Sequence, residues 1–123
     1  MKTKILAIST LCLMVILGVS YAMAKEPVKV GVISVLSGPL AVVGKGEADA
    51  AKMAVEEYGS VLGEKVELII KDHAYSPGLA VERAKELYEK EKVDVIIACP
   101  NSAAALGVSD QAFKNRLFVE VSG

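Results

Sequence analysis

Val28-Lys-Val-Gly-Val-Ile-Ser-Val35 decides the fold class. It has the length of a strand, and five of its eight residues are β-branched. Its apolar character is too continuous for an antiparallel strand with one wet face, which would alternate. Val66-Glu-Leu-Ile-Ile70, Val93-Asp-Val-Ile-Ile-Ala98 and Leu117-Phe-Val-Glu-Val121 share that character. Strands apolar on both faces belong in parallel sheets covered by helices on each side.

The segments between these runs have helical periodicity. From about Gly46 to Tyr58, Ala48, Ala51, Val55 and Tyr58 fall on one face, Asp49, Lys52 and Glu56 line the other, and Gly59 is a stop signal. Ser76-Pro77 supplies an N-cap followed by proline at the first helical position. The helix it opens turns Ala80, Ala84, Leu87 and Tyr88 inward, with Glu86 and Lys90 as an outward i,i+4 pair. A third helix runs from Ser102 to Lys114, with Ala105, Val108 and Ala112 facing inward. The order β-α-β-α-β-α-β with short connections implies right-handed crossovers and a doubly wound parallel α/β sheet. With strands ordered 2-1-3-4, a crevice opens where strands one and three part, lined by the loops at 34–46 and 99–102. The chain ends directly after a strand, so the expected lobe is incomplete.

Outward from the first strand, residues 1–24 read as an export signal. Lys2 and Lys4 precede the apolar run Ile5–Val19, and Ala22-Met-Ala24 suits cleavage before Lys25. A spanning helix wants ~20 apolar residues, and this run is interrupted by Ser9, Thr10 and Gly18. Losing Lys2 and Lys4 leaves 12 basic against 15 acidic residues, a net charge of −3 over 25–123. That balance offers no basic field for nucleic acid. Cys12 leaves with the signal, so Cys99 has no partner for an internal disulfide and stability must come from a packed core.

Glycine-containing loops between strand and helix invite a nucleotide reading, which the spacing excludes. Gly38 and Gly44-Lys45 stand five residues apart where a P-loop needs four, and Gly46 replaces the magnesium-binding hydroxyl. Gly44-Lys-Gly46-Glu-Ala-Asp49 lacks the third glycine of a dinucleotide site. No cofactor is expected. His73 is the only histidine, and no Cys/His cluster accompanies it, so neither a metal site nor a catalytic constellation can be assembled. Asp72 can cap the loop before Ser76 by accepting backbone N–H groups. His73, at a strand's carboxyl end, is either a loop residue or a ligand contact. Cys99 reads as an inert buried thiol, and Glu82, Glu86, Glu89 and Glu91 as solvated helix faces. Cys99-Pro-Asn-Ser-Ala-Ala-Ala105 carries the sharper signal. A strand stops, Pro100 turns the chain, and Asn101-Ser102 opens a helix whose free N–H groups can hold a carboxylate.

The export signal, Val30-Gly-Val-Ile-Ser-Val-Leu-Ser-Gly-Pro39, Gly44 and the helix ending Val55-Glu-Glu-Tyr-Gly59 resemble the type I periplasmic solute-binding proteins. Within these the resemblance is to the leucine/isoleucine/valine-binding protein family of ABC importers. Lys71-Asp-His73, Pro100-Asn-Ser-Ala-Ala-Ala-Leu106 and Val121-Ser-Gly123 are most similar to members that bind aromatic acids. The resemblance implies two α/β lobes closing on a ligand and docking on a membrane permease, of which 25–123 is the N-terminal part of lobe one. It implies a non-enzymatic, exported protein, periplasmic or, without an outer membrane, extracellular. Asn101 and Ser102 then hold the ligand carboxylate, Ser122 and Gly123 start the next ligand-contacting loop, and Val43 lies against the ligand side chain; Ser37 and His73 are further candidate contacts. Val43 stands where amino-acid binders place a tyrosine, which departs from a standard branched-chain ligand. A sensory receptor ectodomain of the same fold, or a gene fragment without independent function, are the alternatives.

Overall fold

Backbone groups of β-branched runs pair side by side, and here they form one sheet. The computed structural model describes residues 26–98, 102–115 and 118–121. In chain order it contains β1 (Val28–Ser34), α1 (Ala41–Tyr58), β2 (Ser60–Val61), β3 (Glu64–Asp72), α2 (Pro77–Glu86), β4 (Val95–Ala98), α3 (Ser102–Lys114) and β5 (Phe118–Val121). The sheet order is β2-β3-β1-β4-β5. β1 pairs in parallel with β3, from Val28 opposite Val66 to Ser34 opposite Asp72. Its other edge pairs in parallel with β4, from Val30 opposite Val95 to Ile33 opposite Ala98, and β4 continues to β5. Setting β2 aside, this is the expected 2-1-3-4 order.

The two faces are covered by different helices. Ile33 joins Ala80, Ala84, Leu87, Val93, Ile96, Ala98, Ala104 and Val108 in one buried cluster, so that face of β1 packs against α2 and α3. Its sequence neighbour Ser34 points the other way, where its hydroxyl reaches Glu47 of α1 at 2.5 Å. One strand residue per face is the alternation of a strand covered on both sides. The winding reverses between β1 and β4, and this establishes the doubly wound class.

Several local expectations change. α1 starts at Ala41 rather than near Gly46, so Gly44 and Gly46 are helical and the loop after β1 shortens to 35–40. The cause is contact between elements: a Cβ on Gly44 would lie 1.9 Å from the Val35 carbonyl oxygen, so only glycine lets α1 approach β1 this closely. Gly44 and Ala48 are buried, whereas Tyr58, expected inward, is 74% exposed in a last turn that buries nothing. Between α1 and β3 lies a hairpin the sequence reading lacks, with Ser60 opposite Lys65 and Val61 opposite Glu64. Its turn residues Leu62 and Gly63 have φ of 53° and 84°, the twist that suits two-residue hairpins.

α2 opens as expected, with the Ser76 hydroxyl accepting from the Leu79 amide at 3.3 Å and Pro77 behind it. It then widens into a π turn over Leu87–Glu91, closed by Lys92 at φ 57°. That turn breaks the i,i+4 register, so the Glu86–Lys90 pair gives way to Glu86 with Arg83 at 2.9 Å and Lys71 at 3.5 Å. Glu91 likewise meets Lys71 at 3.1 Å. Two of the four glutamates read as solvated are thus engaged with β3. In α3 the buried stripe is Ala104, Val108 and Ala112, with Ala105 only half-buried.

Candidate functional site

In a parallel sheet every strand ends at the same edge, so the loops after β1 and β3 and the start of α3 gather there. Asp72, the last residue of β3, organises that edge. Its Oδ1 accepts the amides of Leu36 and Ala74, each at 2.8 Å, and its Oδ2 accepts the Ser37 hydroxyl at 2.6 Å. One carboxylate therefore ties the β1–α1 loop to the β3–α2 loop, doing the capping expected of it and more. Burial pushes the Asp72 carboxyl up, but the Ser37 hydroxyl and the amides of Ala74, Leu36 and Ser37 outweigh it and hold it below its ordinary value.

Arg83 fixes the same point from α2. Its Nε donates to the Asp72 carbonyl at 3.2 Å and its Nη1 to Glu86 at 2.9 Å. That hydrogen bond, opposed by burial and joined by the Lys71 charge, holds Glu86 below its usual range. Sequence reasoning missed Arg83. The available signal was a single arginine, two turns into a helix otherwise carrying Glu and Lys.

After Asp72 the chain turns sharply. The His73 amide donates to the Ser34 carbonyl at 3.1 Å, extending the β1–β3 ladder by one residue. Ala74 and Tyr75 both adopt left-handed backbone, at φ 47° and 62°. Side chains favour this conformation far less than glycine does, at a cost of roughly 1 kcal/mol each. The Ser76 amide closes the turn on the His73 carbonyl at 2.8 Å. The His73 ring is fully buried, and among the described residues neither ring nitrogen has a hydrogen-bond partner.

Of the residues singled out for ligand contact, Ser37 is exposed in the β1–α1 loop with its hydroxyl on Asp72. Val43 is 60% exposed on the first turn of α1. Ser102 is exposed as the first residue of α3. His73 lies inside rather than on the wall. Asn101, Ser122 and Gly123, like Cys99 and the export signal at 1–24, lie outside the described residues. Among the described residues no group of three or more His, Cys, Asp or Glu side chains could hold a metal. The same residues contain no helix long and apolar enough to cross a membrane.

A groove of about 300 Å³ opens at the opposite edge, lined by Glu26, Pro27, Val28, Lys29, Glu64, Lys92 and Asp94. Two of its charged side chains are engaged locally: Asp94 accepts the Lys29 amide at 2.8 Å, and Lys29 Nζ donates to the Glu91 carbonyl at 3.1 Å. The strand-end edge, with an exposed hydroxyl and a helix start, is the better site for a small polar molecule.

Known proteins are similar to this chain in sequence and fold. The sequence model of the periplasmic binding protein family matches residues 27–122. The Leu/Ile/Val-binding protein BraC3 of Rhizobium johnstonii is 29% identical over 114 residues, spanning 89% of this chain and 31% of that protein. Among solved structures, the solute-binding protein of an ABC transporter from Rhodopseudomonas palustris BisB5, in complex with 3,4-dihydroxybenzoic acid, is 32% identical at a TM-score of 0.74. The match covers 79% of this chain and 27% of that one. The leucine-binding protein LivK of Thermotoga maritima is also 32% identical, with a TM-score of 0.73, covering 76% of this chain and 27% of its own. The chain thus spans about a third or less of the length of the relatives it matches. The family match extends from the start of β1 through β5, and the chain belongs to the periplasmic binding protein family.

Proposed function

We propose that this chain is the N-terminal part of the first lobe of an extracytoplasmic solute-binding component of an ABC importer. Its ligand is a small carboxylate-bearing molecule, a branched-chain amino acid-like compound or an aromatic acid. Residues 1–24 direct export and are removed, and 25–123 form the lobe segment. The observation that carries the reading is family membership across 27–122 joined to a strand-end edge exposing Ser37, Val43 and Ser102. Relatives described as binding leucine and 3,4-dihydroxybenzoic acid support the ligand class.

Binding proceeds without covalent chemistry. The N-terminal turn of α3 offers the positive end of its dipole to a carboxylate. Ser102 adds a hydroxyl there, with Asn101 before it and Ser122 and Gly123 on the next loop. Val43 faces the ligand's apolar part. A second lobe closes over this wall, excludes water and completes the surface recognised by a membrane permease. Against this one wall alone a ligand stays largely solvated, so residues 25–123 taken by themselves bind weakly.

Amide chemical-shift mapping tests this. Leucine and 4-hydroxybenzoate at millimolar concentration are expected to shift amides around Ser37, Val43 and Ser102, while leucinol, which lacks the carboxylate, leaves Ser102 unmoved. Shifts confined to the groove around Lys29 and Asp94, or equal shifts with leucinol, would overturn the assignment.

A further inference from the structure

A serine hydroxyl has one proton to donate and two lone pairs to offer. At Ser37 the proton is committed. Oγ lies 2.6 Å from Asp72 Oδ2, the separation of a charge-assisted O–H···O⁻ bond. The direction of that bond is fixed by Asp72, whose Oδ1 already accepts two amides at 2.8 Å. An ionised carboxylate has no proton to give back. Ser37 itself is exposed, on the loop that follows β1 beside the point where the winding reverses.

We propose that Asp72 locks Ser37 as a hydrogen-bond acceptor, so that the ligand group beside it carries an N–H or O–H donor, an ammonium or a hydroxyl. The inference rests on the solute-binding reading above and sharpens its ligand class. The ligand carboxylate is kept at α3, because at Ser37 it would meet oxygen lone pairs backed by the Asp72 charge. Such a repulsive contact discriminates as effectively as an attractive one. The site therefore selects amino acids or hydroxylated aromatic acids over the corresponding bare acids. Asp72 touches no ligand in this scheme. It is a positioning residue that sets the polarity of the hydroxyl in front of it.

Two measurements test the lock. The first follows the Asp72 carboxyl carbon by NMR during acid titration. With Ser37→Ala the titration midpoint rises toward the ordinary aspartate value, because one donor to the carboxylate is lost; an unmoved midpoint overturns the proposal. The second compares leucine with 4-methylpentanoate, and 4-hydroxybenzoate with benzoate, by the concentration at which each shifts the Ser37-loop amides. The donor-bearing member of each pair is expected to act at about three- to ten-fold lower concentration, the worth of one hydrogen bond.

Ser37→Ala removes that preference. Asp72→Asn weakens the leucine preference, since an amide oxygen can keep the Leu36 and Ala74 bonds while its NH₂ donates to Ser37 and turns the freed serine proton toward the ammonium; the 4-hydroxybenzoate preference persists, because a phenol oxygen accepts that proton. An unchanged amide spectrum elsewhere separates this change from loss of structure. A leucine preference that survives both substitutions overturns the proposal. If none of the four compounds moves the edge amides, the solute-binding reading fails, and the Asp72 titration by itself decides where the Ser37 proton lies.

Discussion

The two faces of the sheet are held by different means. Under α2 and α3, Ile33, Leu87, Ile96 and Val108 are at most 1% exposed and belong to a buried cluster made of apolar side chains. Under α1, the buried residues are Val32, Ser34, Gly44 and Ala48, and a serine–glutamate hydrogen bond runs through the contact. The first face is stabilised by removing apolar area from water, the second by a close backbone approach and a few polar bonds. The difference also separates duties. The α2–α3 face carries most of the buried apolar area that stabilises the fold, while the α1 face sets how closely α1 approaches β1.

Substitutions can break that contrast. Leu87→Ala truncates a fully buried leucine of the apolar cluster and should cost about 3 kcal/mol, read from urea unfolding. Met53→Ala, at a side chain of α1 that is 66% exposed, is a surface control and should stay within about 0.5 kcal/mol. A comparable cost at Met53 would mean that the loss at Leu87 does not come from the buried cluster.

On the α1 face the glycines separate cleanly. Gly44→Ala forces a methyl group into the Val35 carbonyl and should destabilise by about 1–3 kcal/mol. Gly46→Ala meets nothing within 4 Å in a helix interior and should stabilise by about 0.5–1 kcal/mol.

Acid probes the edge that joins the faces. The Asp72 carboxyl is depressed in the folded state, so its contribution is fully present above the unfolded value of about 3.9 and is lost as pH falls through its lower folded value. Urea midpoints measured from pH 7 downward should therefore fall more shallowly in Asp72→Asn than in the parent. Glu86 is depressed too and keeps part of the acid dependence in both.

The smallest effect is expected at His73. Its ring is buried and unpartnered, so His73→Leu removes polar atoms that gain nothing from burial. Thermal unfolding should show a change of under about 1 kcal/mol, neutral or stabilising. A loss of several kcal/mol would reveal a bond on which that ring depends.

What was legible from the chain follows the range of each signal. The β-branched runs and the Ser76-Pro77 start depend on neighbours within a few residues, so they led to the correct strand order and the correct opening of α2. The hairpin at 60–64 was hidden because its turn places Leu62, 93% exposed, at positive φ, where leucine is not the residue one looks for. The early start of α1 depends on Gly44 meeting Val35, and the pairing of Glu86 and Glu91 on Lys71, which stands on another element. At the candidate site, Asp72 was legible as a cap over Ala74, two residues away. Its bonds to Leu36 and Ser37 reach across 36 and 35 positions, where no local pattern records them.

The central claim is that this strand-end edge is one wall of a carboxylate site. It is tested most directly by replacing the matching segment of the Rhodopseudomonas palustris dihydroxybenzoate-binding protein with residues 26–121 and titrating the hybrid by calorimetry. With a second lobe supplied, the hybrid should bind 3,4-dihydroxybenzoate or leucine, and truncation of Ser102 to alanine should weaken that binding about ten-fold. A cooperatively folded hybrid that binds no carboxylate, or binds equally well without the Ser102 hydroxyl, would contradict the account.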